Sequence, residues 1–153
     1  LIVTKPYIAS SSKQMQVTIA KPAGNGVVGG DMLAAGILED VNRTKLPAEG
    51  YALLLHRDGS VIAYKDADKI LKPAAEIDPQ LTPQLFSQLK QASTLTEVTL
   101  AQQEKLLWAT EIPDTDWDLV FVLDKEALSF SEGDCTKYQE SAALPELAAC
   151  KAA

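Results

Sequence analysis

Cysteine and histidine are nearly missing from this 153-residue chain. Its two cysteines, Cys135 and Cys150, both lie near the C-terminus, and His56 is its one histidine. A disulfide scaffold is therefore not what organises the fold. In an oxidising compartment the two cysteines could staple a terminal hairpin; otherwise they are two unrelated thiols. Two cysteines and a distant histidine are too few convergent ligands for a zinc site, so no metal or cofactor is expected. Long apolar runs are missing too. Nothing approaches the roughly 20 residues that span a bilayer, and Lys5-Pro6 interrupts the short apolar start, so no signal peptide is expected within it. Basic residues are in deficit, 14 against 21 acidic, for a net charge of −7. A phosphate-backbone partner needs clustered Lys and Arg, so no nucleic-acid partner is expected.

What is present suits a soluble globular protein. The chain is 46% hydrophobic and 23% charged, enough for a packed core. Its length fits one ordinary domain, or one small domain with part of a second. Val3 to Ile8 is extended and apolar, and Met15 to Ala20 alternates with period two as a half-buried strand. Pro22 to Gly26 turns the chain into a short strand, Val27-Val28, completing a three-strand meander. Asp31 is placed to cap a helix, with Leu33, Ala34, Ile37, Leu38 and Val41 on one face, ending at Leu46-Pro47. Tyr51 to Leu55 and Ser60 to Tyr64 flank Arg57-Asp58-Gly59, a strong hairpin signal. Asp78-Pro79 and Thr82-Pro83 both read as helix starts, and Leu85, Phe86 and Leu89 give the second a buried face. Leu95 to Ala101 reads as a strand, Gln103 to Lys105 as a turn, and Leu106 to Ile112 as a strand. After a turn at Pro113 to Asp116 comes the apolar strand Trp117 to Leu123. Asp124 is placed to cap a short helix through Leu128, and from Ser129 onward the pattern fades. Hairpins with helices grouped between them indicate an α+β fold with antiparallel sheet.

Few motifs carry chemistry. Gly24-Asn-Gly-Val-Val-Gly29 matches G-x-G-x-x-G, but a turn entering a strand explains it better than a dinucleotide fingerprint. His56 lies beside a hairpin turn, where a surface role is the default, and no G-x-S-x-G elbow is present. Asp114, Asp116 and Asp118 lack the rest of a calcium loop and read as a solvated turn. Trp108 and Trp117 lie on successive strands, which suggests cross-strand packing. Tyr7 and Asp31 remain. The plain reading is a core tyrosine and a helix cap; the sharper one is a phenol and a carboxylate that converge on a primary ammonium group.

At these residues the chain resembles a known family. Thr4-Lys-Pro-Tyr7, Val17-Thr-Ile-Ala-Lys-Pro22, Gly26-Val-Val-Gly-Gly-Asp31, Gly50-Tyr-Ala-Leu-Leu54, Asp58-Gly-Ser-Val-Ile-Ala63 and Trp117-Asp-Leu-Val-Phe-Val122 are similar, in this order, to the double Cache (PAS-like) sensor domains of bacterial methyl-accepting chemotaxis receptors. The resemblance implies two stacked PAS-like modules. Residues 1–30 would be the last strands of the membrane-distal module, 31–48 a connecting helix, 49–128 the complete membrane-proximal module, and 129–153 a tail without a family pattern. The chain would then begin partway through a domain. The resemblance implies a small-molecule ligand (amino acid, amine or small carboxylate), with Tyr7 and Asp31 holding its ammonium group, and no catalysis. It also implies a membrane-anchored, homodimeric parent with this region on the periplasmic side. Lys5 stands where the family usually has an acidic residue, and Tyr64-Lys65 where His-Pro is common. The same sensor fused to a histidine kinase or diguanylate cyclase would read identically over this segment. From other classes, a small carboxylate-site hydrolase would need a buried pair of convergent carboxylates, and a structural or adhesive module would lack a pocket.

Overall fold

The computed structural model describes residues 1–46 and 49–128. Period-two alternation from Met15 yields β3 (Met15–Ala23), the centre of a first antiparallel sheet. On one side β1 (Ile2–Val3) and β2 (Tyr7–Ile8) pair with it in line. Pro6 supplies no N–H, and the strand is held across that gap by Thr4, whose amide donates to the Thr18 carbonyl at 3.0 Å. On the other side β4 (Gly26–Leu33) pairs with β3 from Ala23↔Gly26 to Gln16↔Leu33. Gly24, at φ +57°, opens the two-residue turn between them, so the G-x-G-x-x-G match is a hairpin, as the residues implied.

Two expectations fail at the end of β4. The strand is eight residues long rather than a Val27-Val28 pair, and it carries Asp31 and Leu33 within it. Asp31 therefore caps no helix. The helix α1 (Ala35–Arg43) begins beyond it, behind Ala34, with no side-chain capping bond. Pairing with β3 along the whole of β4 supplies backbone partners that outweigh one cap.

The second sheet runs in the order β6-β5-β9-β8-β7 and contains β5 (Gly50–His56), β6 (Val61–Ala63), β7 (Thr96–Leu100), β8 (Gln103–Glu111) and β9 (Trp117–Asp124). The hairpin around Gly59 (φ +85°) stands where the Asp-Gly signal placed it. The helix α2 (Pro83–Ala92) starts as read, with Thr82 Oγ1 accepting from the Leu85 amide at 3.3 Å and Pro83 in the first turn. Asp78-Pro79 starts no helix. The Asp78 carboxylate accepts from the Gln80 amide at 2.9 Å and the Ala101 amide at 2.8 Å, tying a turn to the β7–β8 hairpin. That hairpin turns at Ala101-Gln102, both at positive φ, so Gln103 to Lys105 are strand rather than turn. Asp124 ends β9 and accepts from the Lys105 ammonium, and a single 3-10 turn at Glu126–Leu128 follows instead of a capped helix. Cys135, Cys150 and the tail lie outside the described residues.

Buried residues fall on both faces of the second sheet. Leu53, Leu55, Leu107, Val120 and Val122 pack beneath Phe86 and Leu89 of α2. On the opposite face Leu54, Ile62, Ala63 and Trp117 pack against Val17 of β3 and Ala34, with Ile37, Leu38 and Val41 of α1 at the margin. Burial on both faces explains the unbroken apolar run Ala52 to Leu55, since a strand covered on one face would alternate. The two tryptophans do not pack on each other. Trp108 stacks on Phe121 across β8 and β9, centroids 5.6 Å apart, while Trp117 joins the core shared with the first sheet.

The Ala101-Gln102 turn places two non-glycine residues at φ 49° and 65°, where a Cβ costs about 1–2 kcal/mol per residue. Replacing them together with Asn-Gly is expected to stabilise the protein by about 1 kcal/mol after the greater unfolded-state freedom of glycine is counted. Urea unfolding measures it; a lower midpoint for the double variant would contradict this assignment of strain.

Candidate ligand-binding site

Register brings the sequence candidates together. Thr18 lies opposite Asp31, and Tyr7 opposite Gln16. Alternation along β3 turns Val17 into the core and sends Thr18 to the outer face. There the Thr18 hydroxyl donates to Asp31 Oδ1 at 2.6 Å. The Tyr7 hydroxyl reaches the same oxygen at 3.3 Å and lies 2.9 Å from Thr18 Oγ1. Tyr7 is thus no core tyrosine: it is 38% exposed. One carboxylate oxygen is held by two hydroxyls, and Asp31 Oδ2 has no hydrogen bond among the described residues. That arrangement presents a fixed, outward-facing acceptor suited to an ammonium group. Thr18 was not singled out from the sequence. The signal that finds it is cross-strand register, which a hairpin turn fixed at Gly24-Asn25 would have allowed one to count.

Lys5, two residues before Tyr7, reaches away from this cluster to the Asp58 carboxylate at the tip of the β5–β6 hairpin. Asp58 also accepts from the Ser60 hydroxyl at 2.7 Å and the Ser60 amide at 3.1 Å, and His56 Nδ1 lies 2.9 Å away. His56 is accordingly a half-buried hairpin tether more than a surface group. Partial burial of Asp58 disfavours its charge, but the bonds from Lys5, Ser60 and His56 prevail and hold its carboxyl well below the usual carboxylate range.

The other acidic residues separate. Asp116 pairs with Arg57 at 2.6 Å on the surface. Asp118, expected in a solvated turn, is instead buried and accepts the Lys90 ammonium at 2.8 and 2.9 Å. The buried carboxylates Asp78 and Asp118 are thus satisfied by separate partners and form no convergent acid–base pair. Among the described residues, no group of three or more His, Cys, Asp or Glu side chains could hold a metal ion, and no helix is long and apolar enough to cross a membrane.

No family model matches the chain. Its sequence is 30% identical over 129 residues to the methyl-accepting chemotaxis protein McpG of Pseudomonas putida, covering 81% of this chain and 20% of that protein. The ligand-binding domain of the amino acid chemoreceptor PctB of Pseudomonas aeruginosa, solved with L-Arg, matches with a TM-score of 0.62 at 26% identity, over 85% of this chain and 57% of that one. The ligand-binding domain of the chemoreceptor CtaA of Pseudomonas fluorescens, solved with L-isoleucine, matches with a TM-score of 0.62 at 28% identity, over 82% of this chain and 52% of that one. The chain is homologous to the ligand-sensing domains of methyl-accepting chemotaxis receptors and shares their α+β fold. It spans about half of those solved domains and about a fifth of the full receptor.

Because the folded state lowers the Asp58 pKa, its contribution to stability is present above the unfolded value near 4 and is lost as pH falls below it. The group is half exposed, so screening keeps this to about 1 kcal/mol. Urea midpoints measured from pH ~5 down to pH ~2 should therefore fall less steeply in Asp58→Asn than in the parent; parallel curves would contradict it.

Proposed function

We propose that this chain is part of the extracytoplasmic, periplasmic sensing region of a membrane-anchored, homodimeric bacterial chemoreceptor that binds an amino acid or amine. Asp31 is the cation anchor, and Tyr7 and Thr18 are its hydrogen-bonding partners. The observation that carries this reading is the Tyr7–Thr18–Asp31 triangle on one sheet face, with a carboxylate oxygen left for a ligand. The homologous domains solved with L-Arg and L-isoleucine support it, since both of those ligands present a primary ammonium group.

In this reading β1 to β4 are the closing strands of a membrane-distal module. Residues 49–128 form the membrane-proximal module, and α1 connects the two. The ligand is bound and released unchanged, without catalysis. Binding acts only through its different affinity for two conformations of the receptor, which is what a signal across a membrane requires. The output behind the membrane is the chemotaxis type rather than a kinase or cyclase, on the strength of the relatives' own names.

Calorimetric titration of the full extracytoplasmic region with individual amino acids and primary amines tests the assignment. A charge-assisted hydrogen bond contributes about 1.5–3 kcal/mol, so Asp31→Ala should weaken the ligand by roughly 10- to 100-fold. Thr18→Val removes a neutral donor and should cost about 1 kcal/mol of affinity, roughly fivefold, with little change in the unfolding midpoint. A ligand bound equally well by the parent and by Asp31→Ala would end the anchor assignment.

A further inference from the structure

A second group of charged side chains lies on the α2-covered face of the second sheet, a different sheet from that of Asp31. Tyr51 of β5, Lys105 of β8 and Val122 and Asp124 of β9 share the face that α2 covers at Leu53, Leu55 and Leu107. At the end of the sheet marked by Gly50 and Asp124, that face opens into a cavity of about 380 Å³, whose lining is completed by Glu49 and Lys65. A cavity of this size is within the range of small-metabolite pockets.

The lining carries both signs of charge. Lys105 and Asp124 are paired with each other. Lys65 has no carboxylate partner among the described residues; its ammonium lies 4.7 Å from the centre of the Tyr51 ring and 6.0 Å from that of Tyr64. Glu49, on the same cavity, likewise has no cationic partner among them. Burial first, then the charges of Tyr64, Asp78 and Asp124, push the Tyr51 hydroxyl far above its ordinary pKa. It stays a neutral hydroxyl throughout the physiological range, with the Tyr64 hydroxyl as its hydrogen-bonding neighbour.

We propose that this cavity is a ligand site of the second sheet unit, and that its ligand is a compact zwitterion. The ligand carboxylate is held by the Lys65 ammonium, and its ammonium by Glu49 with Asp124 beyond. A simple anion would face two carboxylates in this lining, and a simple cation two ammonium groups. A molecule bearing both charges meets an opposite partner at each end. The site belongs to a different sheet from Asp31, and the two assignments stand or fall separately.

Amide chemical shifts of the nitrogen-labelled chain, titrated with glycine, L-alanine and L-serine, provide the test. Propionate and ethylamine serve as probes carrying one charge only. The expected result is a saturable shift at Gly50, Tyr51, Lys65, Val122 and Asp124 for at least one of the three amino acids. Lys65→Met and Glu49→Gln should each weaken it at least about tenfold, the loss of one charge-assisted contact. Asp31→Ala should leave it unchanged, and propionate and ethylamine should bind at least about tenfold less well. The proposal is overturned if none of the three amino acids shifts these amides, if Lys65→Met binds as the parent does, or if propionate matches the amino acid. Shifts confined to Tyr7, Thr18 and Asp31 would overturn it while leaving the Asp31 reading intact.

Discussion

The structure depends on one buried contact, in which Val17, Ala34, Leu54, Ile62, Ala63 and Trp117 close against one another between the two sheets. Among the described residues the first sheet has no other core. Every residue of β4 is exposed, and so are Ile2, Tyr7 and Ile8 on the far edge. Val17 is fully buried and Ile62 is 2% exposed, and burying each such side chain is worth about 1.5–3 kcal/mol. Among the described residues few other apolar groups stabilise β1 to β4, so within this chain their order is largely borrowed from the second sheet. The second sheet has its own core beneath α2 and does not depend on the first in return.

That asymmetry bears on how a bound ligand could be felt at a distance. Val17 points into the shared core, and Thr18, the next residue, points at Asp31. The backbone connection from Asp31 to the helix is equally short. Leu33 ends β4, and Ala34, 2% exposed, donates its amide to the Met15 carbonyl at 2.9 Å before α1 begins. A ligand that drew β3 and β4 together on the outer face would move Val17 and Ala34, and through them the helix lying on β5 and β6. Packed interiors have low compressibility, so such a displacement is passed on to neighbours more than absorbed.

What was legible in the sequence follows the range of each signal. The Asp-Gly hairpin, the Thr82-Pro83 helix start and the apolar strand from Trp117 rest on local chemistry, and each stands in the fold where its residues put it. The failures share one cause: a long-range partner overrode a local preference. Asp31 and Asp124 have the chemistry of helix caps, but strand pairing claimed both. Asp78 precedes a proline as helix starts do, yet the Ala101 amide claims its carboxylate. Gln103 to Lys105 read as a turn because Ala101-Gln102 carries no glycine or asparagine to mark the reversal. At the candidate site, the residue types of Tyr7 and Asp31 were legible. Their convergence was not, because it depends on β2 and β4 flanking β3 in a particular register.

Lys5 shows how the remaining part of the interface is held. An acidic residue in place of Lys5 would face Asp58 with like charge. With lysine the first sheet is clamped to the hairpin tip of the second, at a point the apolar core does not reach. The two kinds of contact divide the work by their physics. Apolar burial is indifferent to pH and salt and sets the strength of the junction. The half-exposed ion pair is weak and responds to both. Lys5 is also engaged away from Tyr7, so its charge is drawn from the Asp31 face, where an ammonium beside the anchor would repel a cationic ligand. One lysine thus strengthens the junction and leaves Asp31 as the charge that a ligand meets on that face.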